Sequence, residues 1–443
     1  MATDWQSGRR RIVITGIGAV SAFGVGHDAL WQGLCTGESR LGPIHAFDAS
    51  GLRSNLAGEL PEGFSARDFV PKSYRKGVKV MARDIELAVA AALCAVQHAG
   101  WMTPAIDAEA PPTYPPNRVG CQIGAGLIAP ELPELASAFV TAAEGKHFSY
   151  EQWGEVGMNN LTPLWMLKYL PNMLACHVTI LHNAQGPSNT ITCAEASGVL
   201  SIGESMRVIE RGDADAAIAG GVESKVNPTW LLRLDLMKRL AHTDGHSTGA
   251  NLVRPYDPKA PGTLVGEGGG ILALEEAQAA LNRGASPVAA LLGFGAGHEP
   301  QGFDRSPTGA GLAGAIRAAL RDANCQAQEI DAILPQACGC PASDGAELEA
   351  LRAVFGPRLS QIPLVTLAPN LGDLGAGAGA MAVAVGATCL REQALPARIH
   401  HGSPESGLLV GPSASETRTL NKVLVCTGSI GGQCGALILA RAA

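Results

Sequence analysis

Residues 254–277 read RPYDPKAPGTLVGEGGGILALEEA. A polar, proline-bearing approach gives way to a glycine run, Gly266–Gly270, and then to an apolar stretch closed by acids. Gly270–Glu275 (GILALE) has the uninterrupted apolar character of a strand covered on both faces. Neither this glycine run nor the second one, Gly428–Gly432, has the lysine of a phosphate-cradling loop. Both are read as places where backbones pack closely.

Working outward toward the N-terminus, Asp215–Val222 (DAAIAGGV) is another buried strand. Before it, Glu195–Arg211 shows helical apolar spacing at Val199, Leu200, Ile202, Met206 and Ile209, after a short strand at Thr190–Cys193. Residues 127–180 are irregular, with Trp153, Trp165 and Tyr169, and read as an insertion carrying packing or interface surface. Arg118–Gly126 is a strand, Ala82–Ala99 an Ala-rich amphipathic helix, His27–Gly37 a helix. Arg11–Gly24 (RIVITGIGAVSAFG) is a buried strand opening into a Gly-rich turn.

Toward the C-terminus the polar stretch Glu276–Ser286 marks the expected boundary, giving halves at 10–285 and 286–443. The second half repeats the alternation. Strands are expected at Val288–Phe294, Ile330–Leu334, Leu364–Leu367, near Ala397 and at Lys422–Cys426. Helices are expected at Gly309–Asn324, Ser343–Phe355 and after Gly375. Such alternation implies a mostly parallel sheet covered by helices in each half. The halves share element order without a close sequence repeat, and no low-complexity linker separates them.

Composition bounds the function. The chain has 443 residues, 46% of them hydrophobic and only 16% charged, which describes a globular α/β protein with large buried surfaces. A net charge of −7 argues against a nucleic-acid or anionic-membrane surface, leaving room for a local basic patch facing an acidic carrier protein. Met1–Ile12 lacks the apolar core of a secretory signal, and Leu374–Leu390 is too short and too rich in Ala and Gly for a membrane span. Eleven scattered cysteines fit reduced thiols, hence a cytoplasmic protein without disulfides.

Five stretches together resemble the β-ketoacyl-acyl carrier protein synthases, the type II ketosynthases of fatty acid and polyketide assembly. They are RRIVITGIGAVSAFG at the start, PNMLACHVTILHNAQGPSNT (Pro171–Thr190), RGDADAAIAGGVES (Arg211–Ser224), the opening stretch, and TGSIGGQCGALIL (Thr427–Leu439). The resemblance implies the thiolase fold, two similar halves in five α-β-α-β-α layers, and a dimer. It also implies acyl carrier protein as partner and no cofactor or metal.

The family's chemistry uses a cysteine at a buried helix N-terminus, which takes the acyl group, and two histidines that assist decarboxylation of malonyl-carrier protein. From Gly186-Pro187 to Ile202-Gly203 the spacing matches the family without a gap, which puts Glu195 on the cysteine. Cys193, two residues earlier, would need an insertion and a compensating deletion to be the nucleophile, and reads better as a small buried residue beside the pocket. A carboxylate here is suited to accepting backbone hydrogen bonds, not to thioester exchange. Chain-length-factor subunits, which carry Gln at this position, are similar in being non-acylating. The first histidine position falls on Cys338, within QACGCPASDGAE (Gln336–Glu347), where Asp344 and Glu347 keep the pattern. The second falls on Asp373 or, with a small shift, Gly372; the preceding lysine becomes Ala368, and Gly428 stands where the family has a gatekeeping aromatic.

Two classes of function follow. One is a non-condensing partner, as homodimer or as heterodimer with an active ketosynthase, that shapes an acyl tunnel. The other is a divergent acyltransferase or condensing enzyme with a repurposed site of Glu195, Cys338, Cys340 and Asp373. Cys338-x-Cys340 with Cys426 or Cys434 is a weak zinc pattern, and structural thiols are the commoner reading.

Overall fold

The computed structural model describes residues 9–442 apart from 146 and 301–306. Nine strands form one continuous hydrogen-bonded path. They are β1 (Ile12–Ser21), β2 (Val119–Gly124), β3 (Ser188–Ile191), β4 (Ala216–Ser224), β5 (Val265–Glu276), β6 (Ala289–His298), β7 (Ala332–Leu334), β8 (Lys422–Gly428) and β9 (Gln433–Arg441). The first half runs in the order β1-β5-β4-β2-β3 and the second β6-β9-β8-β7. Leu364 bridges in parallel to Ile333 of β7 in the fifth position. The halves join where Ile12–Ile14 pairs antiparallel with Ala289–Leu291.

The expected mostly parallel sheet needs a correction. In the first half β1, β4, β2 and β3 share one direction, but β5 runs against both of its neighbours. In the second half β9 does the same between β6 and β8. Each half thus has a parallel outer part and an antiparallel insertion, because its last strand returns directly into the gap beside its first. That last strand in the second half, β9, was not anticipated as a strand. Leu364–Leu367 forms only a single bridge, and Ala394–Leu395 pairs with Glu416–Thr417 away from the main sheet.

Helices complete five layers. The helix α1 (Arg83–His98) covers the outer face of β1, β4 and β5, with α2 (Met173–His182) beside it on β2. The outer face of the second half carries α4 (Ala310–Asp322), which packs on α5 (Pro341–Phe355). Between the halves lie α3 (Ser197–Glu210) and α6 (Ala378–Glu392), each touching strands of both. The sequence 374–390 is therefore an interior layer, as its Ala and Gly content suggested. Among the described residues no helix is long and apolar enough to cross a membrane.

A structural repeat hides in the glycines. A Cβ at Gly16 would lie 2.1 Å from the Ala95 carbonyl oxygen, and one at Gly18 1.8 Å from that of Ala91. In the second half Gly293 and Gly295 meet the Ala319 and Ala315 carbonyls at 2.5 and 2.1 Å. A mid-strand Gly-x-Gly thus seats an Ala-x-x-x-Ala helix face in both halves, each after an irregularity in register. The glycine run of β5 serves the same end, since a Cβ at Gly270 would lie 2.8 Å from the Ala380 carbonyl.

The region 127–180, expected to be irregular, is mostly short helices, including Leu132–Thr141, Tyr150–Glu155 and Trp165–Lys168 before α2. It leaves Val140, Tyr150, Leu164, Met166 and Ile180 exposed. The polar stretch 276–286 holds a short helix, Ala277–Asn282, capped by Glu276.

Candidate active site

The centre of the molecule gathers charge where a core would otherwise be apolar. Glu195 sits in a 3-10 turn, Ala194–Ala196, that feeds α3, with Ala194 in the left-handed region at φ 47°. This turn tips the Glu195 side chain away from its own helix. Its Oε2 accepts a hydrogen bond from the Ile430 amide of the other half at 3.1 Å, and its Oε1 lies 3.5 Å from Lys225 Nζ. The expected backbone hydrogen bond is present, but the donor is the closing loop after β8, not the helix end.

Asp373 reaches the same lysine. Its Oδ2 lies 3.0 Å from Lys225 Nζ, and its Oδ1 accepts the Gly375 amide at 2.9 Å. The alternative at Gly372 is closed: that residue has φ 80°, and a Cβ there would stand 2.5 Å from the Val265 carbonyl oxygen. The side chains of Lys225, Glu195 and Asp373 are 3%, 1% and 1% exposed, so the cluster is cut off from solvent.

Burial disfavours the Lys225 ammonium, but Asp373, Glu195 and Glu223 outweigh it and hold its pKa above the ordinary value. Burial likewise opposes the Asp373 carboxylate, and Lys225, the Gly375 amide and Arg239 bring it below its usual range. Glu223, at the end of β4, accepts the Ala376 amide at 2.7 Å, yet burial raises it to about 7. The lysine was not anticipated. The one available signal was its place just beyond the apolar run Ala216–Val222, in VESKVN (Val222–Asn227), where a charge must be paired if it turns inward.

Cys338 meets this cluster at a small void. It borders, with Asp373, a void of about 20 Å³, and also a larger cavity of about 280 Å³. That cavity is lined by Arg239, Cys340, Ser343, Gly428 and Ile430, among others. The loop carrying Cys338 is built by two buried acids of α5. Asp344 accepts the Cys338, Gly339 and Tyr256 amides, and Glu347 accepts those of Gln336 and Ala337. Burial raises Asp344 to about 6 and Glu347 to about 7. The three expected positions, Glu195, Cys338 and Asp373, thus converge on one region, while only Glu195 and Asp373 share a partner.

Cys193 is only half-buried, its amide donates to Ser197 Oγ at 2.8 Å, and burial pushes its thiol up. Nothing around it activates a nucleophile. Among the described residues no group of three or more His, Cys, Asp or Glu side chains is placed to hold a metal ion, and all the cysteines are free.

This arrangement of two halves around a central helix pair, with a short turn feeding the buried helix, has counterparts. Residues 9–280 match the family described as Beta-ketoacyl synthase, N-terminal domain, and residues 288–401 the corresponding C-terminal domain. The chain belongs to the β-ketoacyl synthase family. It is 29% identical over 438 residues to 3-oxoacyl-[acyl-carrier-protein] synthase 2 of Vibrio cholerae serotype O1, covering 98% of this chain and 99% of that protein. The protein of the same name from Rhizobium meliloti is 30% identical over 442 residues, with 98% and 99% covered. A chain of the ishigamide ketosynthase/chain length factor superposes with a TM-score of 0.83 at 25% identity, covering 98% of this β-ketoacyl synthase-family chain and 100% of that one. A β-ketoacyl synthase from Burkholderia phymatum shares the fold, with a TM-score of 0.82 at 24% identity. The thiolase fold and the ketosynthase membership expected from the sequence are borne out.

Proposed function

We propose that this chain is a non-condensing ketosynthase partner, a subunit that shapes an acyl tunnel in fatty acid or polyketide assembly. The observation that carries the reading is the lock on Glu195. Its carboxylate engages the Ile430 amide and Lys225, and Asp373 holds the same lysine. A carboxylate so paired is a poor nucleophile toward a thioester and occupies a donor that an acyl oxyanion would need. On this reading Glu195, Cys338 and Asp373 stand at the positions of the family's cysteine and two histidines, and the halves divide at 285/286.

The proposed partners follow from surface chemistry. Lys72, Arg75, Lys76 and Lys79 form an exposed basic strip on a chain of net charge −7, suited to an acidic acyl carrier protein. The exposed apolar side chains of 127–180, beside the exposed edge strand β3, suit a second ketosynthase-fold chain, in the cytoplasm. A second reading is favoured by the relatives' names: a divergent condensing enzyme or acyltransferase using Glu195, Cys338 and Asp373.

The test is incubation of the pure chain with acyl- and malonyl-carrier proteins, followed by intact mass. The partner reading expects no acyl adduct, together with co-purification alongside an active ketosynthase. A stoichiometric acyl adduct, or a turnover abolished in Glu195→Gln, would establish the second reading instead.

A further inference from the structure

Another cavity, of about 200 Å³, lies away from the Glu195 cluster. Val119 at the start of β2, Ile218 in β4 and the His182–Asn183 end of α2 line one side of it, and the connection 101–116 lines the other. Ile218 and Lys225 are about seven residues apart along and just beyond β4, roughly 23 Å at the rise of a strand, so the two sites are separate.

The connection 101–116 is held in shape by its own bonds. The Met102 amide donates to Thr113 Oγ1 at 2.7 Å, and the Thr113 amide donates to the Met102 carbonyl oxygen at 3.0 Å. The Tyr114 hydroxyl donates to the buried Glu275, and the Gln185 amide donates to the Pro116 carbonyl oxygen at 2.8 Å. Pro104, Pro112 and Pro116, all lining the cavity, each fix a backbone angle. A cavity walled in this way is preformed, and a ligand entering it has little left to order.

The lining chemistry selects the ligand. Trp101, Met102, Val119, Ile218 and the three prolines give apolar walls, and among the described residues no Asp, Glu, Lys or Arg lines the cavity. The Trp101 nitrogen is buried beside Glu275, so the cavity meets the indole ring. His182 is the polar exception. It is 5% exposed and its Nδ1 lies 2.9 Å from Thr103 Oγ1, while its Nε2 has no hydrogen-bond partner among the described residues. Burial lowers its pKa to about 4, so the imidazole brings no charge at neutral pH. With Thr103 on one nitrogen, the other accepts or donates a single hydrogen bond according to tautomer, and a hydroxyl group serves either case.

We propose that this cavity binds a neutral single-ring aromatic alcohol, of the phenol class, with the ring against Trp101 and Ile218 and the hydroxyl on His182 Nε2. The size agrees: an apolar cavity of about 150 Å³ takes benzene, so about 200 Å³ holds one ring with a substituent. Ala108 and Pro112 are exposed at the rim, which gives a small ligand a way in. The site goes beyond the partner reading and does not rest on it, because none of its residues belongs to the Glu195 cluster.

The test is a fluorine NMR titration of the full chain at neutral pH with 4-fluorophenol, 4-fluorotoluene and 4-fluorobenzoate. 4-Fluorophenol is expected to bind saturably with a Kd of roughly 1 mM or below. 4-Fluorotoluene, lacking the hydroxyl, should bind about tenfold more weakly. 4-Fluorobenzoate should not bind, since nothing in the cavity pairs with its charge. His182→Phe keeps the ring volume without the nitrogen and should bring 4-fluorophenol down to the affinity of 4-fluorotoluene. Ala110→Trp fills the cavity from a half-buried wall and should abolish binding of both; Ala108→Trp, at an exposed position, replaces it should that variant not fold. Circular dichroism checks each variant. Non-saturable binding of 4-fluorophenol overturns the proposal, as does equal affinity for the phenol and the toluene. So does 4-fluorophenol binding that survives in the folded occluding variant.

Discussion

The Lys225 ammonium and the Asp373 carboxylate lie 3.0 Å apart, one at the end of β4 and the other in the turn before α6, in an interior closed to water. The pair joins the two layers that meet at the middle of the molecule, and Glu195 completes it from the α3 turn. A lysine just beyond the end of β4 thus supplies the cation for carboxylates from two other segments.

Lys225→Met should destabilise the chain by about 3–5 kcal/mol, because it leaves buried carboxylates without their cation. Adding Asp373→Asn and Glu195→Gln should recover most of the loss. Chemical denaturation midpoints of the single and triple variants measure this; equal midpoints would remove the cluster's structural role.

Glu195→Gln keeps an acceptor for the Ile430 amide and should leave partner binding unchanged. Glu195→Ala leaves that amide and part of Lys225 unpaired, at a cost of about 1–3 kcal/mol. A thermal melt combined with co-purification separates the two. Loss of partner binding in the Gln variant alone would count against the packing role argued for this carboxylate.

Stability should rise as pH is lowered from 8 to 6.5. Burial raises Glu223 and Glu347 to about 7 from 4.5 in the unfolded chain, and Glu210 moves in the same sense. Such groups bind protons more tightly when folded. Their contribution is full below the unfolded value and is lost as pH climbs through about 7. Burial shifts His27, His98, His177 and His182 below 6.5, so they bind protons less tightly when folded and partly oppose the rise, chiefly at the 6.5 end of the window. Melting at several pH values should show the slope, and Glu223→Gln or Glu347→Gln should flatten it.

Charge reversal at Lys72, Arg75, Lys76 and Lys79 should weaken binding of an acidic acyl carrier protein by roughly tenfold or more at low salt, with a smaller effect at high salt. Calorimetric titration at two ionic strengths reads both. Unchanged affinity would place the carrier elsewhere on the surface.

Much of this protein was written in local sequence. Apolar runs such as IVITGIGAVS and the periodic face of 197–210 specify strands and helices by their own spacing, and glycine fixes where two backbones touch. Counting along the chain singled out Glu195, Cys338 and Asp373 as candidates, because spacing within a motif is a one-dimensional property, and the folded chain brings the three to one region. The direction of β5 and β9, and the strand at 433–441, needed the tertiary structure, since an insertion between two existing strands leaves no periodic mark. So did the partners of Glu195. Lys225 and Ile430 lie 30 and 235 residues from it along the chain, and Asp373, which shares the lysine, 178; only the folded chain brings these groups within reach of one another. The residues at the centre were therefore legible one at a time. Their pairing, which fixes what they can do, is set by low-dielectric burial that exists only in the folded molecule.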